Sequence, residues 1–384
     1  MPLSKFVGFW SALLLVQPGI FCGAPAQTSF RQALPGYQYQ FPRDHGSHPE
    51  FATEWWYYTG HLRAGNGRRF GYQMTWFRTA LTPKVQRKSA WATRDVYFAH
   101  FALTDEAGEK FYFSDRIGRG NLGLAKGTSG KTLPQIFIGD WALRFNGKTG
   151  ERQSFKASAN SDASATKDQS FGLELNQSAA KPLIIQGERG VSQKATGLGR
   201  ASHYYSFTRL QTGGTLTLNG EKLKVTGESW FDHEFGSNQL AQGQVGWDWF
   251  SLQLGDGREL MLYRLRLKGG GVEPLSSGTL VEKDGRTRHL KLADFRLTPL
   301  NTWKSAETGA TYPIRWKVEL PKLKLEMEVE AVIDGQELRP RRSGTNLSYW
   351  EGSVKATGSQ NGRAIQGNGY LEMTGYASAF QNTF

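Results

Sequence analysis

The chain has 384 residues with 47 Lys and Arg against 34 Asp and Glu, a net charge of +13, an aromatic share of 13% and one cysteine. That length is ample for two hydrophobic cores, and a lone thiol excludes an internal disulfide and any multi-thiolate metal site. The basic residues stand singly rather than in clusters and form no nucleic-acid-binding module, so the charge reads as a solvated surface and nucleic acid is excluded as a partner.

Residues 1–26 predict a cleaved export signal: Lys5 supplies the positive start, Phe6 to Val16 the apolar run, and Ala24-Pro25-Ala26 the small-residue cleavage site. Secretion to a periplasm or cell envelope follows, with a mature chain that starts near Gln27 and has no spanning segment of about 20 apolar residues. The bulky Ile20 and Phe21 before Cys22 argue against a lipid anchor there.

Beyond the leader, residues alternate between apolar and polar with period two, which predicts strands over Glu54 to Leu62, Phe70 to Phe77, Val96 to Leu103, Lys110 to Ser114 and Ile136 to Phe145. Hairpin turns are predicted at Gly65-Asn66-Gly67, Asn146-Gly147, Asn219-Gly220, Gly255-Asp256-Gly257, Asp284-Gly285 and Asp334-Gly335. Two polar tracts, about Ser158 to Ser170 and Gln186 to His203, read as long loops, which either form lids or mouths or are simply disordered. The fold class is all-β and antiparallel, a barrel or sandwich rather than a parallel sheet.

An internal repeat divides the chain. Glu54 to Leu62, a glycine turn and Arg68 to Arg78 open one half; Gly246 to Leu254, a second glycine turn and Arg258 to Arg266 open the other. The halves also close alike, on Val225 to Asp232 and on Gln366 to Tyr376. Two tandem copies of one β-domain are expected, 27–236 and 237–384.

At the end of the first copy, Gly227-Glu228-Ser229-Trp230-Phe231-Asp232-His233-Glu234-Phe235-Gly236 concentrates acids, a histidine and aromatics in one strand. Alternation puts Glu228, Trp230, Asp232 and Glu234 on one face and His233 on the other. Carboxylates buried in that number need cations, a ligand or shared protons. The adjacent aromatics Trp55, Trp56, Tyr57 and Tyr58, with Trp247, Trp249 and Phe250 in the second copy, line both faces of their strands, so that one face packs in the core and the other is a candidate for a ligand cavity or the domain seam.

These motifs resemble a family. His48-Pro49-Glu50, Glu54-Trp55-Trp56-Tyr57-Tyr58-Thr59-Gly60, Ser202-His203-Tyr204-Tyr205-Ser206, the acidic strand, Gly246-Trp247-Asp248-Trp249-Phe250 and Glu259-Leu260-Met261-Leu262-Tyr263-Arg264 fall in the order seen in the AttH-like and carotenoid 1,2-hydratase group, often labelled predicted secreted hydrolases. The resemblance implies two lipocalin-like, calycin-type antiparallel barrels. It also implies roles for His233 and Tyr263 in a hydratase branch, although Phe235 and Leu265 replace a tryptophan and an acid of that branch. An ABC transport system as partner is implied in the same way.

The primary expectation is an exported protein that binds a hydrophobic small molecule or lipid, through Trp55, Trp56, Tyr58, Trp230, Trp247, Asp248, Trp249 and Arg264. The alternative is a cofactor-independent hydratase or isomerase that acts on an isoprenoid-like alkene at the seam, with His233, Asp232, Glu234 and Tyr263 as its chemical groups. There Asp232 or Glu234 is the acid, Trp230 or Trp247 the face that steadies a carbocation, and His233 the base. A bulge or the seam itself would have to bring Asp232 and His233 together. A purely structural reading pairs Asp232, Glu234 and Asp248 with Arg264, Arg266 or Arg78. No cofactor is expected, and no metal, because neither His233 with Glu228 or Glu234 nor His45 with His48 has a ligand spacing. His100 reads as a satisfied core histidine, and the lack of G-x-S-x-G speaks against serine hydrolysis.

Overall fold

The computed structural model describes residues 29–84, 89–128, 133–160, 169–341 and 348–379. The leader, Cys22 and most of the first polar tract lie outside them. Among the described residues no helix is long and apolar enough to cross a membrane.

The first sheet opens with β1 (Thr53–Ala64), β2 (Arg69–Ala80), β3 (Asp95–Asp105) and β4 (Lys110–Arg119), successive antiparallel neighbours. Short strands follow: β5 (Ala125–Gly127), β6 (Gln135–Ile138), β7 (Trp141–Asn146), β8 (Arg152–Ala159) and β9 (Phe171–Ala179). The fragments β10 (Ile184–Ile185) and β11 (Ser192–Gln193) pair with the long β12 (Ala201–Leu218), and β13 (Glu221–Gly236) returns to β1. The order β4-β3-β2-β1-β13-β12-β9-β8-β7-β6-β5 curls until it almost closes as a barrel. Trp56, Tyr58, Tyr72, Trp76, Trp141 and Phe231 fill its interior.

The second sheet contains β14 (Gln244–Leu254), β15 (Glu259–Leu267), β16 (Ser277–Val281), β17 (Thr287–Lys291) and β18 (Arg296–Lys304). It continues with β19 (Thr311–Leu320), β20 (Leu325–Ala331), β21 (Glu337–Leu338), β22 (Tyr349–Gln360) and β23 (Arg363–Met373). Its order is β17-β16-β15-β14-β23-β22-β20-β19-β18, with β21 paired to β22. It remains a half-barrel rather than a second closed barrel. Its core is built on Phe250, Trp316, Trp350 and Leu371.

The topology repeats as the sequence repeats. In each sheet the opening hairpin, β1–β2 or β14–β15, pairs through its first strand with the last strand of that sheet, β13 or β23. The chain passes from one sheet to the other between Gly236 and Gln244. Asn219 and Gly220 turn the β12–β13 hairpin with φ of 51° and 85°, the primed turn that Asn-Gly favours. The one strand expected over Ile136 to Phe145 is instead the β6–β7 hairpin, because Gly139 takes φ 58° between them. Gly227 allows β13 to lie close to β1: a Cβ there would meet the His61 carbonyl at 1.9 Å.

The sheets meet face to face across β1, β2 and β13 on one side and β14, β22 and β23 on the other. His61 Nε2 donates to Gly369 O at 3.0 Å, and Thr104 donates to Gln336 at 2.7 Å. His100, expected in a core, is buried in this interface with Nδ1 2.7 Å from the Tyr349 hydroxyl. Arg209 and Lys181 reach across to Glu259 at 2.7 Å each.

Candidate functional site at the seam

Regular pairing of β13 with β1 decides where the acidic strand's side chains go. The register runs unbroken from Val225 to Gly236, and the irregularity lies on β12 between Phe207 and Leu210, so no bulge turns His233 toward Asp232. The predicted set therefore splits into two buried clusters on opposite faces of one strand.

The outward cluster lies in the seam. Asp232 is 3% exposed and accepts hydrogen bonds from Trp230 Nε1 at 2.7 Å, the Tyr204 hydroxyl at 2.6 Å and the Ser206 hydroxyl. Burial dominates these donors and, helped by Glu234, raises Asp232 to about 7. Glu234 accepts from Ser202 and pairs with Lys194 at 3.2 Å. Lys194 lies over the rings of Tyr204 and Tyr263, at 5.3 and 4.4 Å, and comes from the polar tract 186–203. That tract is neither open nor detached: Tyr263 donates to Gln193 O, Ser192 Oγ lies 3.2 Å from the Tyr263 hydroxyl, and Gln244 donates to Lys194 O.

The facing wall supplies more acids. Glu351 on β22 and Glu372 on β23 are register partners, a like-charge pair that is unfavourable unless a proton is held between them. Burial and then Glu372 push Glu351 well above the usual carboxylate range; burial, with Glu234 and Asp232 nearby, raises Glu372 to about 7. Glu372 keeps some solvent contact, so burial acts fully on Asp232 and Glu351 and less completely on Glu372. Tyr57 donates to Glu351 Oε1 at 2.7 Å, whereas Glu351 Oε2 has no partner among the described residues. Tyr57, Tyr204, Trp230, Trp249, Met261, Tyr263 and Tyr370 pack around these carboxyls, and half-buried Trp55, Trp247 and Leu240 stand where the cluster meets solvent.

The inward cluster closes one end of the barrel. Glu54 Oε1 accepts from His48 Nδ1 at 2.6 Å and from His233 Nε2 at 2.9 Å, and Oε2 from Arg78 Nε at 2.9 Å. His233 stacks on Trp56 at 4.8 Å, and Trp56 donates to His45 O at 2.8 Å. The Tyr205 hydroxyl lies 2.8 Å from His233 Nδ1 and 2.6 Å from His45 Nδ1 and is 3.0 Å from Asp44 O, to which it can donate, so it joins all three groups. Burial alone would depress His48, but Glu54 and Asp44 raise it to about 9; burial lowers His233.

His48, Glu54 and His233 bring three possible metal-ligand atoms within 4.8 Å. Their chemistry fits an ion network better than a cation site. With His48 protonated, Arg43, His48 and Arg78 balance Asp44, Glu54 and Asp95, and a divalent ion beside the Arg78 guanidinium would add uncompensated buried charge.

Several assignments from sequence change accordingly. His233 and Trp56 belong to the barrel-end network rather than to the seam. Tyr58 lies in the barrel core and donates to Gln153 Oε1. Asp248 and Arg264 pair at 2.6 Å inside the half-barrel, where Tyr376 donates to Asp248 at 2.8 Å and Arg264 covers Trp316. Trp55, Trp230, Trp247, Trp249, Asp232, Glu234 and Tyr263 do converge. Tyr57, one of the adjacent aromatics, joins them, whereas Lys194, Tyr204, Glu351 and Glu372 were not given a site role by the sequence. Alternation along β1 places Tyr57 on the same face as Trp55; the Glu351–Glu372 pair appears only once β22 and β23 are in register.

Residues 32–376 match the model of the AttH-like family. None of the curated proteins matches the chain in sequence. A crystal structure of a Nitrosomonas europaea protein assigned as AttH is 34% identical, with a TM-score of 0.78 over 90% of this chain and 100% of that one. Kievitone hydratase from Nectria haematococca shares the fold at 16% identity, with a TM-score of 0.66 over 88% of this chain and 93% of its own. The family model spans both sheets and the seam between them, so the chain belongs to the AttH-like family.

Proposed function

We propose that the seam binds a hydrophobic small molecule and moves protons on it without a cofactor, as a hydratase or isomerase of an electron-rich alkene does. The observation that carries this reading is the placement of three carboxyls, Asp232, Glu351 and Glu372, together within an aromatic enclosure, where burial, fullest for Asp232 and Glu351, favours their protonated forms. A container for a purely apolar guest needs no such acids, and burying them is costly unless they are used or fully paired. Glu351, with one oxygen unpartnered among the described residues, fits the proton donor.

In hydration, a carboxyl proton passes to one alkene carbon and water oxygen bonds to the other. The proton lost from that water returns to the carboxylate, so the acid is regenerated. Trp230, Trp247 or Trp249 offers an aromatic face to the cationic carbon between those steps. Carriage of the same molecule is the second reading, and the aromatic lining supports that binding equally; a cell envelope as its setting rests on the sequence reading of the leader, and an ABC transport system as its recipient is implied by the family resemblance alone.

A conjugated isoprenoid such as retinol should quench seam tryptophan fluorescence, and Trp247→Ala should weaken its binding by about tenfold. Incubation of isoprenoid and polyketide alkenes in D₂O should give deuterium at carbon with the native protein and none with Glu351→Gln. Binding without exchange would leave carriage; no binding of any apolar probe would end both readings.

A further inference from the structure

Large apolar side chains are exposed on two neighbouring loops at one end of the barrel. Trp91 is 68% exposed and Leu81 58% on the β2–β3 loop, and Leu122 is 52% and Leu124 51% on the β4–β5 loop. The loops are tied together: Asn121 Nδ2 donates to Ala90 O at 3.0 Å and to Ala92 O at 3.3 Å, and Arg119 donates to Trp91 O. Leu122 is held outward at a left-handed φ of 55°. An isolated exposed leucine needs no explanation, but four large apolar groups on coupled loop tips do.

Cations surround them. Lys84, Arg94, Arg119 and Lys126 form no ion pair among the described residues, whereas nearby Asp95 and Asp140 are taken up by Arg78 and Arg116. Apolar tips ringed by unpaired Lys and Arg match the boundary layer of an anionic bilayer, where each cation near the surface adds attraction and each tip buries among acyl chains.

The patch also connects to the seam. The register places Glu234, Trp55, Phe77, Phe98 and Ile117 in one row across β13, β1, β2, β3 and β4, all pointing outward. Phe77 and Phe98 stack at 4.5 Å, Phe77 half-buried and Phe98 only 5% exposed, and Ile117 is 48% exposed next to the loops. At about 4.8 Å per strand the row runs about 19 Å from the acids to the patch.

We infer that this end of the barrel docks on an anionic lipid surface, and that the Trp55–Phe77–Phe98–Ile117 row, once the buried Phe98 ring is displaced, leads a hydrophobic molecule between bilayer and seam. The second half of the inference rests on the seam as the binding site; the docking does not.

Flotation with phosphatidylcholine vesicles, with and without phosphatidylglycerol, tests both. The native protein should float with the anionic vesicles, less so in high salt. Trp91→Glu and Leu122→Glu should each weaken flotation by about tenfold and leave the melting temperature and retinol binding from solution unchanged. Trp247→Ala should still float, which separates loss of docking from loss of the seam site. The docking is overturned if the native protein ignores anionic vesicles or if the two loop variants float as well as it does. It is equally overturned if the patch instead mediates self-association, seen in analytical ultracentrifugation as a dimer that those variants abolish. Retinol transfer from vesicles that is as fast for Phe77→Asp as for the native protein would overturn the row alone.

Discussion

Replacing Arg78 with methionine should lower the unfolding free energy by about 3–5 kcal/mol, the cost of breaking a buried ion pair by removing one partner. Arg78 is 1% exposed, and four donor contacts hold it: Glu54 Oε2 at 2.9 Å, Asp95 at 3.0 Å, His48 O at 2.9 Å and Phe51 O at 2.8 Å. Methionine fills much of the same volume, so the loss is electrostatic and hydrogen-bonded rather than a cavity. Glu54 would lose its guanidinium partner and keep His48, His233 and the Ser47 hydroxyl, and the His48 and Phe51 carbonyls would each lose one donor. Urea unfolding followed by tryptophan fluorescence measures the change. Adding Glu54→Gln to Arg78→Met should recover part of it, because the stranded charge is then gone. A loss below about 1 kcal/mol would mean that water reaches the network and that the burial argument is wrong.

Asp232→Asn should change how stability depends on pH and should abolish any seam chemistry that uses this carboxyl. The folded value of about 7 lies above the unfolded 3.8, so between those values the folded chain holds the extra proton. Stability from this group is therefore fully present below about pH 4, falls as pH rises to 7 and then levels off. The total fall is at most about 4 kcal/mol, at about 1.36 kcal/mol per unit. Asparagine cannot ionise, and its amide fits the site: the oxygen takes the place of Oδ1 and accepts from Trp230 and Ser206, while the nitrogen donates to the Tyr204 oxygen. The variant should match the native protein near pH 4 and exceed it in stability above pH 7, as read from unfolding midpoints across that range. Identical profiles would show that the Asp232 proton is held as loosely in the folded chain as in the unfolded one. If Asp232 transfers protons to substrate, turnover should fall by about 10²–10⁴.

Period-two alternation made the strands legible, and the matched hairpins opening each half made the duplication legible. The same alternation already set Asp232 and His233 on opposite faces, and the uninterrupted β1–β13 register keeps them there. What stayed hidden depends on pairing over long separations. Glu351 and Glu372 are ordinary surface-like glutamates until β22 meets β23, and Glu54 becomes a hub only when β1, β2, β13 and the segment around His48 converge. The half-barrel was hidden for a related reason: strand patterning fixes which face is apolar, whereas closure depends on whether the sheet's edge strands find each other. Arg78 and Arg264 illustrate the gain from register. Each sits directly across its opening hairpin from an acid, Glu54 or Asp248, and both pairs are inaccessible to solvent on the acid side.

Because each sheet joins its first strand to its last, neither can finish early during synthesis. Thr53 must wait for Gly236, 183 positions later, and Trp247 for Thr374, 127 later. Loop closure on that scale favours slow assembly. A ribosome-bound fragment ending before β23 would lack Glu372 and expose the aromatic wall, so the acids come together only in the final act of folding. A nascent chain therefore lacks the full set of seam carboxyls until its last strand is in place.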